Sequence, residues 1–151
     1  MNLEQIFGLR GVQSRSKKTG KTNYQYFIIY SFMSITVVPP KALISIEDLE
    51  KVDIRVGTIK LVEDVPKSDK LVRLTVDFGS FERKILSGIK KERANVREIE
   101  GKQALFVVNL APRKIMGESS EGMIYDIGFA DGINPALAVP ERQVPNGARA
   151  G

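Results

Sequence analysis

The stretch VDIRVGTIKLV, residues 52–62, decides the fold, because its apolar residues change phase partway along. They occupy even positions as far as Val56 and odd positions at Ile59 and Leu61, with Gly57 at the change. A phase change at a glycine inside a strand is typical of a β-bulge or a sharp bend. We therefore predict one long strand that bends enough to serve both halves of a closed barrel.

Further strands are predicted on the C-terminal side of this stretch. Residues 72–78, VRLTVDF, alternate strictly between apolar and polar side chains, which predicts a strand with one buried face. The other apolar segments are shorter or less regular. They predict strands at 84–89, 104–110, 123–129 and 136–139.

Two segments carry helical signals. Ser45 followed by Asp48 resembles a capping box and predicts a short helical turn over residues 45–50. Residues 90–101, KKERANVREIEG, have apolar side chains at loose helical spacing, and Gly101 is placed to end a helix.

Several short strands with one helix between the third and the fourth match the oligonucleotide-binding barrel. An SH3-like barrel is the structural rival, and the position of the helix favours the former. We expect residues 41–151 to form an all-β domain with one or two short helices, built as a five-stranded oligonucleotide-binding (OB-fold) Greek-key barrel.

The composition excludes most kinds of active site. The 151 residues contain no Cys and no His, which removes disulfides, thiolate nucleophiles, imidazole bases and the commonest metal ligands. Carboxylate-based glycosidase chemistry is the main route left, and no acidic pair has a suggestive context. We predict no catalytic residue, no metal and no cofactor. The longest apolar run, residues 26–38, is shorter than the roughly 20 residues that span a bilayer, so a soluble, cytoplasmic protein is expected.

Residues 1–40 form an N-terminal extension of different composition. They hold five basic side chains and one acidic one, which leaves 18 basic and 17 acidic side chains in 41–151, although the whole chain carries +5. Translation could start at Met33, making the preceding residues an artefact of start assignment. A disordered basic arm, an extra strand from Tyr24 to Phe32, and an acid-poor transit peptide are the alternatives. Because basic and acidic side chains nearly balance in residues 41–151, nucleic-acid binding by that domain would need local clusters of positive charge.

Four segments carry a family resemblance: VDIRVGTI at 52–59, SDKLVRLTVDFG at 68–79, LSGI at 86–89 and NLAPRKIMGESSEGM at 109–123. In order and spacing they resemble the tRNA-binding domain family. Its members include the C-terminal domains of bacterial methionyl-tRNA synthetases, CsaA-type proteins and eukaryotic synthetase cofactors of the EMAP II kind. The resemblance implies an oligonucleotide-binding barrel that binds the outer corner of tRNA by shape and, in free-standing members, a homodimer.

The last of these segments supplies the first candidate RNA contacts. Asn109 offers donors and acceptors for a sugar hydroxyl or a base edge, and the alternative is a turn residue that bonds its own backbone. Arg113 and Lys114 are candidate phosphate contacts or else a solvated surface pair. Met116 would pack against a base or belong to the core, and Ser120 is a polar candidate contact.

A second group is predicted to line the same face of the barrel. It consists of Lys70, Arg73, Arg83, Lys84 and Ser87. If the two strands that carry them pair, their charges add to the first group; the alternative is ordinary exposed strand charge. Aromatic residues are sparse, which favours recognition of folded RNA by shape over stacking on single-stranded bases.

The leading hypothesis is a free-standing, structure-specific tRNA-binding protein, homodimeric, that acts alone or as an auxiliary subunit of an aminoacyl-tRNA synthetase. The alternative is a peptide-binding export chaperone of the CsaA type, which the ending VPNGARAG at 144–151 resembles. An enzyme is a distant third.

Overall fold

The computed structural model describes residues 38–151. The N-terminal extension proposed for residues 1–40, with its candidate strand from Tyr24 to Phe32, lies outside this part except for its last three residues. The described part opens with α1 (Ile46–Leu49), one short helix capped by Ser45, whose hydroxyl accepts a hydrogen bond of 3.1 Å from the Asp48 backbone N–H. The predicted helical turn is confirmed.

Short strands make up most of the domain. They are β1 (Ile54–Asp64), β2 (Val72–Asp77), β3 (Glu82–Ser87), β4 (Gln103–Val107), β5 (Arg113–Ile115), β6 (Glu118–Ser120), β7 (Met123–Ile124), β8 (Asp126–Ile127), β9 (Ala136–Leu137) and β10 (Arg149–Ala150). Five of them form one curled antiparallel sheet in the order β3-β2-β1-β4-β7, and β10 adds to the start of β1. This is the expected oligonucleotide-binding type of barrel. The remaining strands form two small hairpins, β5–β6 and β8–β9.

The long strand β1 serves two neighbours, as predicted. Its first half pairs with β4 and its second half with β2, and Thr58 is the residue that faces both. The bulge lies between Ile59 and Leu61, two residues beyond the predicted position. Leu61 is therefore turned outward, 44% exposed, while Val62 is 1% exposed, so the apolar phase of Ile59 and Leu61 does not mark the buried face beyond the bulge. Gly57 does not form the bulge but lets β1 pack closely against β2, since a Cβ there would stand 2.6 Å from Val76 Cγ1.

The core lies inside the curl of the sheet. Phe78 and Phe106 meet edge to face with ring centroids 5.6 Å apart, and fully buried aliphatic side chains from β1, β2 and β3 surround them. The strict alternation predicted for residues 72–78 is confirmed, because every second residue of β2 is buried. This face supplies the hydrophobic free energy that closes the barrel.

The segment predicted as a helix over residues 90–101 adopts two separate 3₁₀ turns, Ile89–Lys91 and Val96–Ile99. Asn95 separates them in an extended conformation, with φ of −135°, and its Oδ1 accepts the Arg97 N–H at 3.1 Å. Gly101 ends the segment at a positive φ of 80°, as expected. Among the described residues no helix is long and apolar enough to cross a membrane.

The strand predicted at 123–129 is broken into β7 and β8, and a 3₁₀ turn at Phe129–Asp131 follows. Its outer half pairs with β9 instead of continuing along β4. The short strand predicted at 136–139 is present as β9.

The C-terminal segment is bound to the barrel through Asn146. Its Oδ1 accepts hydrogen bonds from Thr58 Oγ1 at 2.8 Å and from Gln103 Nε2 at 2.9 Å, and its Nδ2 donates to Asp77 Oδ2 at 2.9 Å. The pKa of Asp77 lies below its ordinary value because its carboxylate accepts two hydrogen bonds. The larger effect comes from the Gly79 backbone N–H and the smaller one from the Asn146 amide. One side chain thus joins β1, β2 and β4.

Gly147 and Gly101 offer a matched pair that tests how closely this segment must approach the barrel. Both have positive φ, but a Cβ at Gly147 would collide with the Phe78 carbonyl oxygen, whereas a Cβ at Gly101 would meet nothing within 4 Å. We expect Gly101→Ala to lower the free energy of unfolding by about 1 kcal/mol, and Gly147→Ala by about 2 kcal/mol more. Urea denaturation measures both, and equal losses would contradict the close approach.

Candidate nucleic-acid interface

The middle of the motif at 109–123 forms the β5–β6 hairpin, a two-stranded sheet separate from the main one. In the β5–β6 pair, Arg113 faces Ser120 and Lys114 faces Ser119. Consecutive strand residues point to opposite faces, and both cationic side chains are exposed because this ribbon has only two strands. Neither takes part in an ion pair among residues 38–151. The hairpin therefore presents two uncompensated positive charges within the described part of the chain.

The tip of the hairpin is a tight turn of two residues, Met116 and Gly117, at φ of 53° and 86°. Two left-handed residues in succession match the twist of the flanking strands, but a non-glycine residue in that conformation costs about 1 kcal/mol. Met116 holds it with 58% of its surface exposed, so the structure places this methionine at the tip and not in the core.

Met123 is a further candidate contact, for which the sequence left a base contact and a core position both open. Its position in a strand indicated a core residue, yet it is 47% exposed at the start of β7. A Cβ at Gly122, directly before it, would stand 2.8 Å from the Val107 carbonyl oxygen, so position 122 faces the packed interior. Successive residues of a strand point to opposite faces, and Met123 therefore faces outward.

Ser120 is buried, with 5% exposure, and is not on the surface that was predicted for it. Its Oγ accepts the Leu86 N–H at 3.0 Å and donates to the Gly122 carbonyl oxygen at 3.1 Å. Next to it, the Glu121 carboxylate accepts the Lys84 N–H at 2.9 Å, and the Glu121 N–H donates to the Lys84 carbonyl at 2.9 Å. These contacts close the barrel along β3. We call this line of contacts the seam.

Asn109 also has a position that neither sequence-based alternative described. Its Oδ1 accepts the Asp53 N–H at 2.9 Å and its Nδ2 donates to the Lys51 carbonyl at 2.6 Å. The side chain thus ties the end of β4 to the segment between α1 and β1, not to its own turn. It is nevertheless exposed, and one amide N–H and one lone pair stay available for another group.

The second predicted group is only partly brought together. The strands β2 and β3 do pair, and an open groove of about 740 Å³ lies between them and the hairpin. It is lined by Arg73, Thr75, Glu82, Arg83, Lys84, Glu118, Ser119 and Glu121. Lys70 is exposed outside this lining, and Ser87 is buried at the end of β3.

Carboxylates neutralise much of the positive charge in the groove. Arg73 contacts Glu63 at 3.1 Å and Glu118 at 2.7 Å, and these hydrogen bonds raise the pKa of Arg73. The same contact from Arg73 lowers the pKa of Glu63. A guanidinium that is paired with two carboxylates contributes little net field outside the protein.

Arg83 is held beside an aromatic ring. Its guanidinium carbon lies 5.1 Å from the centroid of the Phe81 ring, and its Nη1 lies 4.0 Å from the Glu121 carboxylate. Its Nε is buried without a hydrogen-bond partner among residues 38–151. Of the groove cations, only Lys84 is both exposed and outside any ion pair in the described part of the chain.

The seam can be tested with two neighbouring serines. Ser120→Ala removes the acceptor of a buried N–H and should lower the free energy of unfolding by about 2 kcal/mol. Ser119→Ala is the matched control in the same strand, exposed and without such a bond, and should change it by less than about 0.5 kcal/mol. If chemical denaturation finds the two variants equally stable, Ser120 does not close the seam.

Known proteins resemble this chain in both sequence and fold. A family model described as a tRNA-binding domain matches residues 54–149. The chain is 36% identical over 149 residues to the methionine–tRNA ligase of Methanocorpusculum labreanum, covering 97% of this chain and 20% of the ligase. It is 46% identical over 106 residues to that of Porphyromonas gingivalis, covering 70% of this chain and 15% of the ligase. The chain spans about a fifth or less of the length of these relatives.

Two solved structures share the fold. The methionyl-tRNA synthetase-related protein from Pyrococcus horikoshii is 37% identical, with a TM-score of 0.67, covering 74% of this chain and all of that one. The chaperone CsaA from Bacillus anthracis is 29% identical, with a TM-score of 0.63, covering 73% of this chain and all of that one. The family match and the shared fold together show that this chain belongs to the tRNA-binding domain family.

Proposed function

We propose that residues 41–151 bind folded tRNA through the β5–β6 hairpin and the exposed Lys84 of the adjoining groove. The observation that carries the proposal is the pair Arg113 and Lys114, which lie exposed on opposite faces of one hairpin without ion pairs in the described part of the chain. Cations presented in this way are suited to phosphates on two sides of a bent or branched backbone.

Recognition is by shape and phosphate contact in this proposal. Phe81, the ring beside the groove cation Arg83, stacks on buried Phe78 with centroids 5.0 Å apart and has the Arg83 guanidinium 5.1 Å from its centroid, so it offers no open platform for a base. Local charge is the main source of affinity, since basic and acidic side chains nearly balance over residues 41–151. Met116 and Met123 add exposed apolar surface at the hairpin tip and base, where an unpaired nucleotide could pack.

The similarity to methionine–tRNA ligases favours an auxiliary role for the domain beside a synthetase. In those relatives the matching part is a small share of a much longer chain. We propose that the domain raises the affinity of a synthetase for tRNA, acting in the cytoplasm as an auxiliary, non-catalytic subunit, and that it needs no cofactor or metal for this.

A homodimer is the second part of the proposal. α1 buries none of its residues against the barrel, and the apolar side chains around it lie in solvent. They are Leu43, Ile44, Ile46, Leu49 and Val52. An apolar stripe of this kind, contiguous in sequence, is characteristic of a surface that a second copy covers.

One alternative function has a specific observation in its favour. The similarity to the chaperone CsaA fold is close to that found for the synthetase-related protein, and the exposed apolar side chains around α1 would suit an unfolded peptide. A binding assay with labelled total tRNA, in which duplex DNA or an unfolded peptide competes, separates the two functions. Tight peptide binding without tRNA retention at low salt would favour the chaperone.

The hairpin charges can be tested through the salt dependence of tRNA binding. Arg113→Ala combined with Lys114→Ala should weaken tRNA binding and reduce the slope of log K against log salt by roughly 1.8, since each lost phosphate contact contributes roughly 0.9. The control, matched in residue type and charge, is Lys102→Ala with Arg142→Ala: Lys102 directly precedes β4, Arg142 contacts Glu141 at 3.8 Å, and neither belongs to the hairpin. Its slope should stay close to that of the unchanged protein. An unaltered slope for the hairpin variant would place the site elsewhere.

The proposed dimer can be tested by placing charges on its surface. Ile46→Glu combined with Leu49→Glu should convert a dimer into monomers, because carboxylates cannot be buried there without large desolvation. Leu61→Glu, at an exposed apolar residue of β1, is the control and should leave the mass unchanged. Sedimentation velocity measures all three proteins. A monomeric unmodified chain, or a dimer that survives both glutamates, would contradict the assignment of this surface.

A further inference from the structure

Arg73 connects the wall of the barrel to the β5–β6 hairpin at a point away from the seam. It lies on β2 and reaches Glu63 on β1 through Nε and Glu118 on β6 through Nη1. Glu118 belongs to the hairpin, where it faces Ile115 directly before the tip. The guanidinium therefore bridges the barrel wall and the outer half of the hairpin.

The hairpin needs such a second attachment. Only three residue pairs hold its strands together, and a two-stranded ribbon of this length is marginal by itself. Ser120 anchors its base at the seam, which leaves the tip free to pivot about that point unless another contact fixes it. The bond between Arg73 and Glu118, at 2.7 Å and half-buried, is the contact in the right place.

We infer that Arg73 and Glu118 are positioning residues for tRNA binding, which set the angle of the hairpin and thereby the directions of Arg113 and Lys114, without touching RNA themselves. The inference rests on the proposed function and deepens it. A hairpin held in one orientation loses less conformational freedom on binding than one that swings, so the pair should strengthen binding although it adds no net charge.

The competing explanation is that Arg73 binds a phosphate directly, as its residue type suggests. The two explanations make opposite predictions for Glu118→Gln. If Arg73 touches RNA, removal of a carboxylate beside it frees the guanidinium and lowers repulsion, so binding becomes tighter. If the pair positions the hairpin, the same substitution weakens the bridge and binding becomes weaker.

The decisive experiment measures tRNA dissociation constants at several salt concentrations for Glu118→Gln. We expect about fivefold weaker binding, with the salt slope unchanged because no phosphate contact is lost. Glu82→Gln is the matched control: it removes a carboxylate from the same groove but one that bonds Lys60 on β1 and does not touch the hairpin. It should leave the affinity unchanged or slightly improve it.

Two further variants separate positioning from a general loss of structure. Arg73→Met combined with Glu118→Gln should bind no more weakly than Arg73→Met alone, as expected for partners in one interaction. When Arg113 and Lys114 are already alanine, Glu118→Gln should have no further effect, because there is no charge left to orient. Thermal unfolding of each variant confirms that measurements are made on folded protein.

The outcomes are distinguishable from failure of the proposed function. If the alanine pair at Arg113 and Lys114 leaves tRNA binding intact, the proposed interface is wrong. If that pair weakens binding while Glu118→Gln tightens it or leaves it unchanged, the interface stands and the positioning role of Arg73 and Glu118 is overturned.

Discussion

The fold depends on the point where β1 changes partners. At Thr58 the strand leaves β4 and joins β2, and its backbone must bend sharply for both ladders to form. Asp77 on β2 and Gln103 on β4 both face Thr58 at this junction. Asn146 bonds all three, donating to Asp77 and accepting from Thr58 and Gln103. The C-terminal segment is therefore part of the barrel's closure, and the polar groups at the junction are satisfied by one amide.

Local pattern predicted the strands well and their irregularities poorly. The alternation of β2 and the cap at Ser45 depend on neighbours in sequence, so they could be predicted without a structure. The bulge after Ile59 and the paired 3₁₀ turns depend on how the chain packs against the rest of the barrel. A phase change in a sequence shows that a strand bends, but the residue at which it bends is set by tertiary contacts.

The candidate site was predictable to the same limited extent. Arg113 and Lys114 lie on a short hairpin whose Gly117 and polar residues mark it as exposed. Arg73 is different, because its partner Glu118 lies 45 residues away in sequence. Residue type alone indicated a phosphate contact, whereas the carboxylates that surround the guanidinium only become visible once the strands are paired. Sequence thus shows which charges exist, and the fold decides which of them remain uncompensated.

The seam has a consequence for where the ligand preference of this chain is determined. Ser120, Glu121 and Gly122 are required where they are because they supply β3 with hydrogen-bond partners and leave room for the Val107 carbonyl. The identity of these three residues therefore reports on barrel closure and not on what the barrel binds. The outward side chains of the hairpin take no part in that closure, so the ligand preference of this chain has to be sought among them.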